Sequence, residues 1–420
     1  MSQRTWKGGA TAVAQVETFT PANVEIGDEF DIQLTDDAGN DHTISYTATA
    51  ATVQDVVEGL KAAADAASTA GSAPWDSVTA TEDDAKLTLT ANTAGVPFFS
   101  APSTTDGGGT DDQTLTEATI TASAGPNDWN TAANWTGAAV PVGADDVDFD
   151  GAIGTSDVSY GLDQSAITLG LLTVSASYSG KIGQANASLQ LESATTGASI
   201  GRRGTGDNDQ ASARININFT GGSNPTDVIV HRTRDRSADA GLPAARLVLG
   251  NASSTLRVLG GDVGLGVSTP GETTNCDELD VSAGTVFIGT GATIGTRITV
   301  SGGRLTNLGS ASPETIVTGG TYVALGSGTH TTLEVQGGKC EYLSDGTITT
   351  LDVSGEWTTA QDPRAKIVSN AILRSGGSIR ANTGNPLSVT WSNGIDLEQS
   401  SLTDVTLEIG SNLTVTPSAI

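Results

Sequence analysis

Apolar and polar residues alternate along most of this chain, in short runs separated by glycine. In "ELDVSAGTVFIG" (278–289), Leu279 and Val281 fall on one side of an extended strand, with Asp280 on the other. The same arrangement returns in "RITVSGGRLTNLG" (297–309), "TIVTGGTYVALG" (315–326), "TLEVQGGKCEYL" (332–343) and "TLDVSGEWTTAQ" (350–361). Aligned on Val281, Val300, Val317, Val335 and Val353, the repeats step by 19, 17, 18 and 18 residues. Strand, glycine corner and strand at a fixed period of this size predict a β-solenoid, in which each coil buries its inner face against the next. Glycine suits the corners because it tolerates backbone angles that a side chain resists. Earlier segments such as "LGLLTVSASYSGKIG" and "RLVLGNASSTLRVLGG" follow the pattern more loosely. Residues 145–420 would stack about 15 coils, about 70 Å at strand spacing.

The first part of the chain has a different rhythm. "EFDIQLTD" alternates, with Phe30, Ile32 and Leu34 on one face; "HTISYTATA" returns after the turn "DDAGND", which predicts a hairpin. A helix is expected over 52–68, with Thr52 as cap, Asp55 as the third-position acid, and Val53, Val56, Val57, Leu60, Ala63 and Ala64 as its buried stripe. "KLTLTA" and "QTLTEATITA" supply further strands. The fold class is therefore mainly β, a small N-terminal α+β domain followed by a long single-stranded parallel β-helix. The expected divisions are an N-terminal arm (1–24), an α+β attachment domain (25–124), a linker and β-helix cap (125–150), and the β-helix (151–420).

Composition narrows the function classes. Fifty-two glycines and 4% aromatic residues fit many short strands and tight corners. The formal charge of −28 repels nucleic acid and anionic membranes. Up to residue 125, 19 acids face Arg4, Lys7, Lys61 and Lys86, either as a solvated surface or as a docking face for a basic partner. No apolar run has the length of a membrane span, and the start "MSQRTWKGGATAVAQVE" lacks the apolar core of a signal peptide, so folding in a cytoplasm is expected. Cys276 and Cys340 fall three coils apart and are expected to remain unbonded, with Cys340 facing the core in the column Val286, Leu305, Tyr322, Cys340.

Few residues suggest chemistry. The column Asp280, Thr299, Ile316, Glu334, Asp352 stacks Glu334 on Asp352, a geometry that could serve acid/base hydrolysis of a glycan or be two solvated carboxylates. "DVDFDGAIGTSD" (146–157) places Asp146, Asp148, Asp150 and Asp157 as in a calcium loop, but Val147 and Phe149 alternate with them as in a strand. His42, His231 and His330 form no recognisable triad. No catalytic residue, cofactor or metal is assigned. The segment 202–257 is the basic exception, with eight of the 20 Lys and Arg residues; "HRTRDRSADAGLPAAR" (231–246) reads as an insertion. Its arginines either pair with local acids or form a contact patch, and Arg232, Arg234 and Arg236 are its candidate contacts. Arg4 and Trp6 are candidates in the N-terminal arm, which would order most simply against a neighbouring chain.

Two resemblances extend this reading. Trp129, Asn134, Trp135, Pro141 and "DDVDFDG" resemble the entry segment of parallel β-helix passengers in autotransporter-like proteins, which implies that Trp129 and Trp135 cap the open end of the first coil. The stretch "VEIGDEFDIQLTDDAGNDHTISYTATAATVQDVVEGLKAAA" (24–64) resembles modules of tailed-bacteriophage virion proteins. That resemblance implies a non-enzymatic virion protein, a head decoration or fibre or a tail appendage, attached through its N-terminal part. It also implies a homotrimer, with other virion proteins and a host surface glycan as further partners. A surface adhesin and a glycan depolymerase on the same scaffold are the alternatives.

Overall fold

The computed structural model describes residues 2–36, 39–110, 112–203, 211–234, 237–310, 312–359, 362, 364–381, 389–397 and 404–409. It is mainly β and divides into two compact units: residues 7–140 with 156–161, and residues 1–6 with 141–155 and 162–420.

The smaller unit is built as its patterning predicts, with additions. The strand Glu29–Thr35 pairs antiparallel with Asp41–Thr47, setting Phe30 against Tyr46 and Ile32 against Ile44. The helix Val53–Thr69 buries Val56, Val57, Leu60, Ala64 and Ala67, while Val53 is left half-buried. Thr52 accepts a hydrogen bond from the Asp55 amide. The Asp55 carboxylate reaches back to the amides of Thr49 and Ala50, a variation on the capping box that satisfies donors just outside the helix. The strands Lys86–Ala91 and Thr114–Thr121 flank Val16–Ala22 on its two sides. Residues 16–22 are therefore an internal strand with a buried Phe19, and 1–24 is not a free arm.

The larger unit is a parallel β-solenoid. Its coils alternate between a 14-stranded and a 12-stranded sheet. The valine column follows the predicted register, Val281, Val300, Val317, Val335 and Val353 being paired rung to rung. It continues upstream through Val258, Val230 and Ile200. In the second sheet, Val286, Leu305, Tyr322, Cys340, Trp357 and Ile379 form the matching interior column. Among the described residues the second sheet has 12 strands, fewer than the roughly 15 coils expected, and the early coils are longer than the period of the later ones. Register-matched Val147, Leu172, Ala198, Val228 and Leu256 are far more widely spaced in sequence than Ile298, Thr315, Leu333 and Leu351. The excess lies in segments 176–188, 203–214 and 231–244, each joining a strand of the first sheet to one of the second.

The repeated glycine corner has a direct structural cause. Gly284, Gly303, Gly320 and Gly338 all take left-handed angles (φ 85°, 68°, 65° and 68°). They stack so that a Cβ on one would meet the carbonyl oxygen of the glycine one rung earlier, at 2.3 Å for Gly284 on Gly261 and 2.5 Å for Gly320 on Gly303. Conformation and stacking both exclude a side chain. Gly320→Ala should lower stability by roughly 1–3 kcal/mol and by more than Gly241→Ala. Gly241 has the same backbone sign (φ 78°) but open space around it. Urea denaturation of the two variants separates strain from collision; equal losses would remove the collision.

Candidate functional site

The N-terminal candidates belong to the solenoid itself. Gln3–Thr5 pairs in parallel with Asp146–Asp148 as the first rung of the 14-stranded sheet. Trp6 is fully buried, its ring 6.3 Å from Phe149, which lies 5.3 Å from Tyr178. Arg4 pairs with Asp145 at 3.3 Å. Hydrogen bonds from the amides of Ser2 and Val142 and the Arg4 charge outweigh partial burial and hold the Asp145 carboxyl below the usual range. Arg4 and Trp6 therefore serve the chain's own first rung, which corrects their reading as contacts in a free arm.

Trp129 and Trp135 are buried in the smaller unit, edge to face at 4.6 Å, with the Trp135 indole donating to the Trp129 carbonyl at 2.7 Å. Asn134 beside them donates to the carbonyls of Gly125 and Asp128. The pair forms a local core within that unit, and Trp6 fills the interior of the solenoid's first rung.

The acid column adopts the expected register, with Glu334 directly beside Asp352. The two carboxylates do not face each other as a free pair, however. Arg374 binds Asp352 with two hydrogen bonds, at 2.7 and 2.6 Å, and Glu334 accepts from Gln336 at 2.8 Å. Glu334→Gln and Asp352→Asn should each change stability by less than about 1 kcal/mol, the range of exposed ion pairs, and neither should alter any glycan-release readout. Loss of a glycan-cleaving activity in either variant would make the column a hydrolytic site.

The calcium-like run is a strand over Asp146–Phe149, with Val147 and Phe149 buried. Among the described residues, no group of three or more His, Cys, Asp or Glu side chains is placed to hold a metal ion. No helix among them is long and apolar enough to cross a membrane. A hollow of about 120 Å³ in the smaller unit is lined by Ala64, Asp65, Ser68 and Trp75; its carboxylate is already paired with Lys61 at 2.6 Å.

Both cysteines are free and buried. Burial pushes the Cys276 thiol up to about 12 and raises that of Cys340 as well. Neither should react with a thiol reagent in the native protein, and both should react on unfolding. Rapid native labelling of Cys340 would break the register of the interior column. His330 is also interior, its pKa lowered to about 4 by burial, between the rings of Tyr322 and Tyr342.

Two charge clusters are buried: one is the pairing with a local acid expected in the 231–246 insertion, found in the interior instead of on the surface, and the other, around Asp362, was not singled out by the sequence. Arg246 is wholly inaccessible; it donates to the Ala185 carbonyl at 2.7 Å and to Asp239 at 2.6 Å. Arg214 binds the same Asp239 carboxylate through two nitrogens. Lys366, equally buried, donates to the Ser344 carbonyl at 2.7 Å and to Asp362 at 2.6 Å, and Arg364 shares that acid. In both clusters the cation is held by the acid and a backbone carbonyl, although the Arg246 Nε is buried without a hydrogen-bond partner. Each fastens a connecting segment to the coil. The local signal was an acid close in sequence to basic residues, Asp239 in "RSADAGLPAAR" and Asp362 in "QDPRAK".

The basic segment thus splits by depth. Arg214 and Arg246 are internal fasteners, whereas Arg232 and Arg234 are exposed after the strand Asp227–Val230. Arg236 lies outside the described residues. No protein-family model, no curated protein and no solved structure matches the chain.

Proposed function

We propose that the chain is a non-enzymatic structural protein of a tailed-bacteriophage virion, a head decoration or fibre or a tail appendage made in the host cytoplasm. The smaller unit is the attachment module and the solenoid the presenting element. The observation that carries this reading is the construction of the solenoid: continuous rungs in register, closed at one corner by a glycine stack. Such a scaffold adds length and rigidity with each coil, and stability through contacts between neighbouring rungs. The acid column favours structure over hydrolysis, because Asp352 is held by Arg374. The resemblance of residues 24–64 to modules of virion proteins supplies the particle.

Mass spectrometry of purified particles tests the reading. The chain should be present in fixed ratio to the major capsid protein, with hundreds of copies for a head protein and a few to a few dozen for a tail protein. Absence from particles, with the chain found on the cell surface, would replace the virion reading with that of an adhesin. Homotrimeric assembly belongs to the same proposal. Light scattering should then give about three times the chain mass of 42.3 kDa; a monomer both in solution and on the particle would remove it.

A further inference from the structure

The outer face of the second sheet is covered in the early coils and bare in the later ones. Arg246 and Val248 alternate to the outside of the strand Ala245–Leu249, whose other residues share the interior columns of Ile215, Ile217 and Phe219. Both are nevertheless buried. The cover is made of the chain's own connecting segments. Arg246 donates to the carbonyls of Ala185 and Gln184. The Ser268 hydroxyl donates to the side chain of Asn216, the register partner of Arg246 on the rung before. On the rung after, a Cβ on Gly264 would fall 2.2 Å from Val267 and 3.0 Å from Pro243.

That cover stops at the following strand. Phe287 is the register partner of Gly264, and its side chain is 37% exposed. An apolar row runs on from it along the same face. Leu308, Leu325 and Leu343 each follow the last residue of a second-sheet strand. Their amides continue the ladder: Leu308 donates to the Ile288 carbonyl at 3.0 Å, Leu325 to Asn307 at 2.8 Å and Leu343 to Ala324 at 2.8 Å. In a parallel ladder these bonds set Leu325 beside Leu308 and Leu343 beside Leu325. Asn307, Ala324 and Tyr342 before them are buried, so the leucines alternate to the outside. Leu308 is 39% exposed. The joining segments 308–313, 325–329 and 343–346 are too short to turn the corner and return across the face, as the longer 231–244 does.

Charge separates this face from the other one. The second-sheet strands Thr285–Ile288, Arg304–Asn307, Thr321–Ala324 and Lys339–Tyr342 hold the cations Arg304 and Lys339 and the acid Glu341, a balance of +1. In the same coils the first-sheet strands hold Asp277, Glu278, Asp280, Glu314 and Glu334 against Arg297, a balance of −4. Two copies of a chain with net charge −28 repel each other through most of their surface. The second sheet of the later coils is where that repulsion is absent and apolar surface is exposed.

We propose that the row Phe287, Leu308, Leu325 and Leu343 is the face on which copies of this chain associate, side by side with their solenoid axes parallel. A second copy brings the same rung spacing, about 4.8 Å. On a shared axis each leucine then meets the same leucine of its neighbour, without drift along the row. Beside the apolar centre, Arg304 pairs with Glu341, and Lys339 with Glu341 and Glu356, as a neutralised polar rim. The proposal gives the homotrimer proposed above its contact surface and rests on that reading for the association itself.

Light scattering of the full-length chain tests it, with circular dichroism as the check on folding. The double variant Phe287→Glu/Leu308→Glu is set against Ile153→Glu/Ile367→Glu, which adds the same charge at exposed apolar positions elsewhere on the solenoid (51% and 44%). The native chain and the control should associate alike, and the first variant should dissociate at concentrations at least about tenfold higher. As a second measurement, a short bismaleimide should join Leu308→Cys chains to one another and leave Ile367→Cys chains single, the native cysteines being buried. This decides the matter if the double glutamate variant fails to fold. A native oligomer that persists in the Phe287→Glu/Leu308→Glu variant, or is lost equally in the control, would overturn this face and leave the homotrimer to another surface. Equal cross-linking at the two cysteine positions would overturn it as well. A native chain that is monomeric in solution, with no Leu308→Cys cross-link on purified particles, would overturn both the face and the homotrimer.

Discussion

Asp239→Ala should destabilise the solenoid by about 3–5 kcal/mol, the cost of leaving a buried charge without its partner. Arg246 has no solvent exposure, so its guanidinium cannot recover hydration when the carboxylate is removed. Burial already pulls its pKa down, yet an arginine stays charged at neutral pH. The remaining acceptors, the carbonyls of Ala185 and Gln184, supply hydrogen bonds but no negative charge. Arg214 loses the same partner, which adds repulsion between two cations. Asp239→Asn should cost less, because the amide keeps an acceptor. The pH dependence follows from the direction of the Asp239 shift. Its carboxyl is held low by the hydrogen bond from Arg214, against some burial, with the charges of Arg214, Arg246 and Lys181 adding to the effect. A depressed folded pKa means that the contribution is complete above the unfolded value of about 4 and is lost as pH falls through the folded value. Urea midpoints of the native protein and of Asp239→Asn should therefore differ by a constant amount from neutral pH down to about 5 and converge below about 4. Equal midpoints for the native protein and Asp239→Ala at neutral pH would show that the cluster fastens nothing.

How far the fold was legible depends on the sequence distance over which each feature is written. The valine column and the interior position of Cys340 rest on period-two alternation and on glycine corners a few residues away, and both follow the expected register. The helix and hairpin of the smaller unit are local in the same sense. The first rung is not. Gln3 pairs with Asp146 across almost the whole smaller unit, and three residues carry too short a pattern to announce a strand. The length of the early coils escaped for a related reason: segments 176–188, 203–214 and 231–244 lack the repeat that marks the later ones. The basic segment showed its composition but not its depth. Charge along a sequence does not distinguish Arg246, buried on Asp239, from Arg257, exposed and unpaired. That distinction arises only when the coils are stacked. It divides one basic run into internal fasteners and exposed arginines.

Trp357→Ala should cost about 3–5 kcal/mol, the range for removing a large aromatic side chain from a packed core, and the damage should be confined to one end of the solenoid. Trp357 is fully buried in the interior column, with Cys340 on the rung before it and Ile379 on the rung after. Its ring lies 6.1 Å from that of Tyr342 and 5.9 Å from that of Trp391. No substitute can fill that volume from the neighbouring rungs, whose register is fixed by the backbone ladder on both sides. Trp357→Phe should cost much less. It keeps most of the ring and removes an indole N–H that is buried without a hydrogen-bond partner, a group that burdens the native state. Each rung of a solenoid rests on its immediate neighbours, so a cavity weakens the interfaces beside it and leaves distant ones intact. Hydrogen exchange should therefore show lost protection in Thr347–Val353, Lys366–Leu373 and Ser378–Ala381, with Leu172–Ser175 and Ala198–Arg202 unchanged. Uniform loss of protection from one end to the other would mean that the solenoid unfolds as a single unit and that its rungs are not additive.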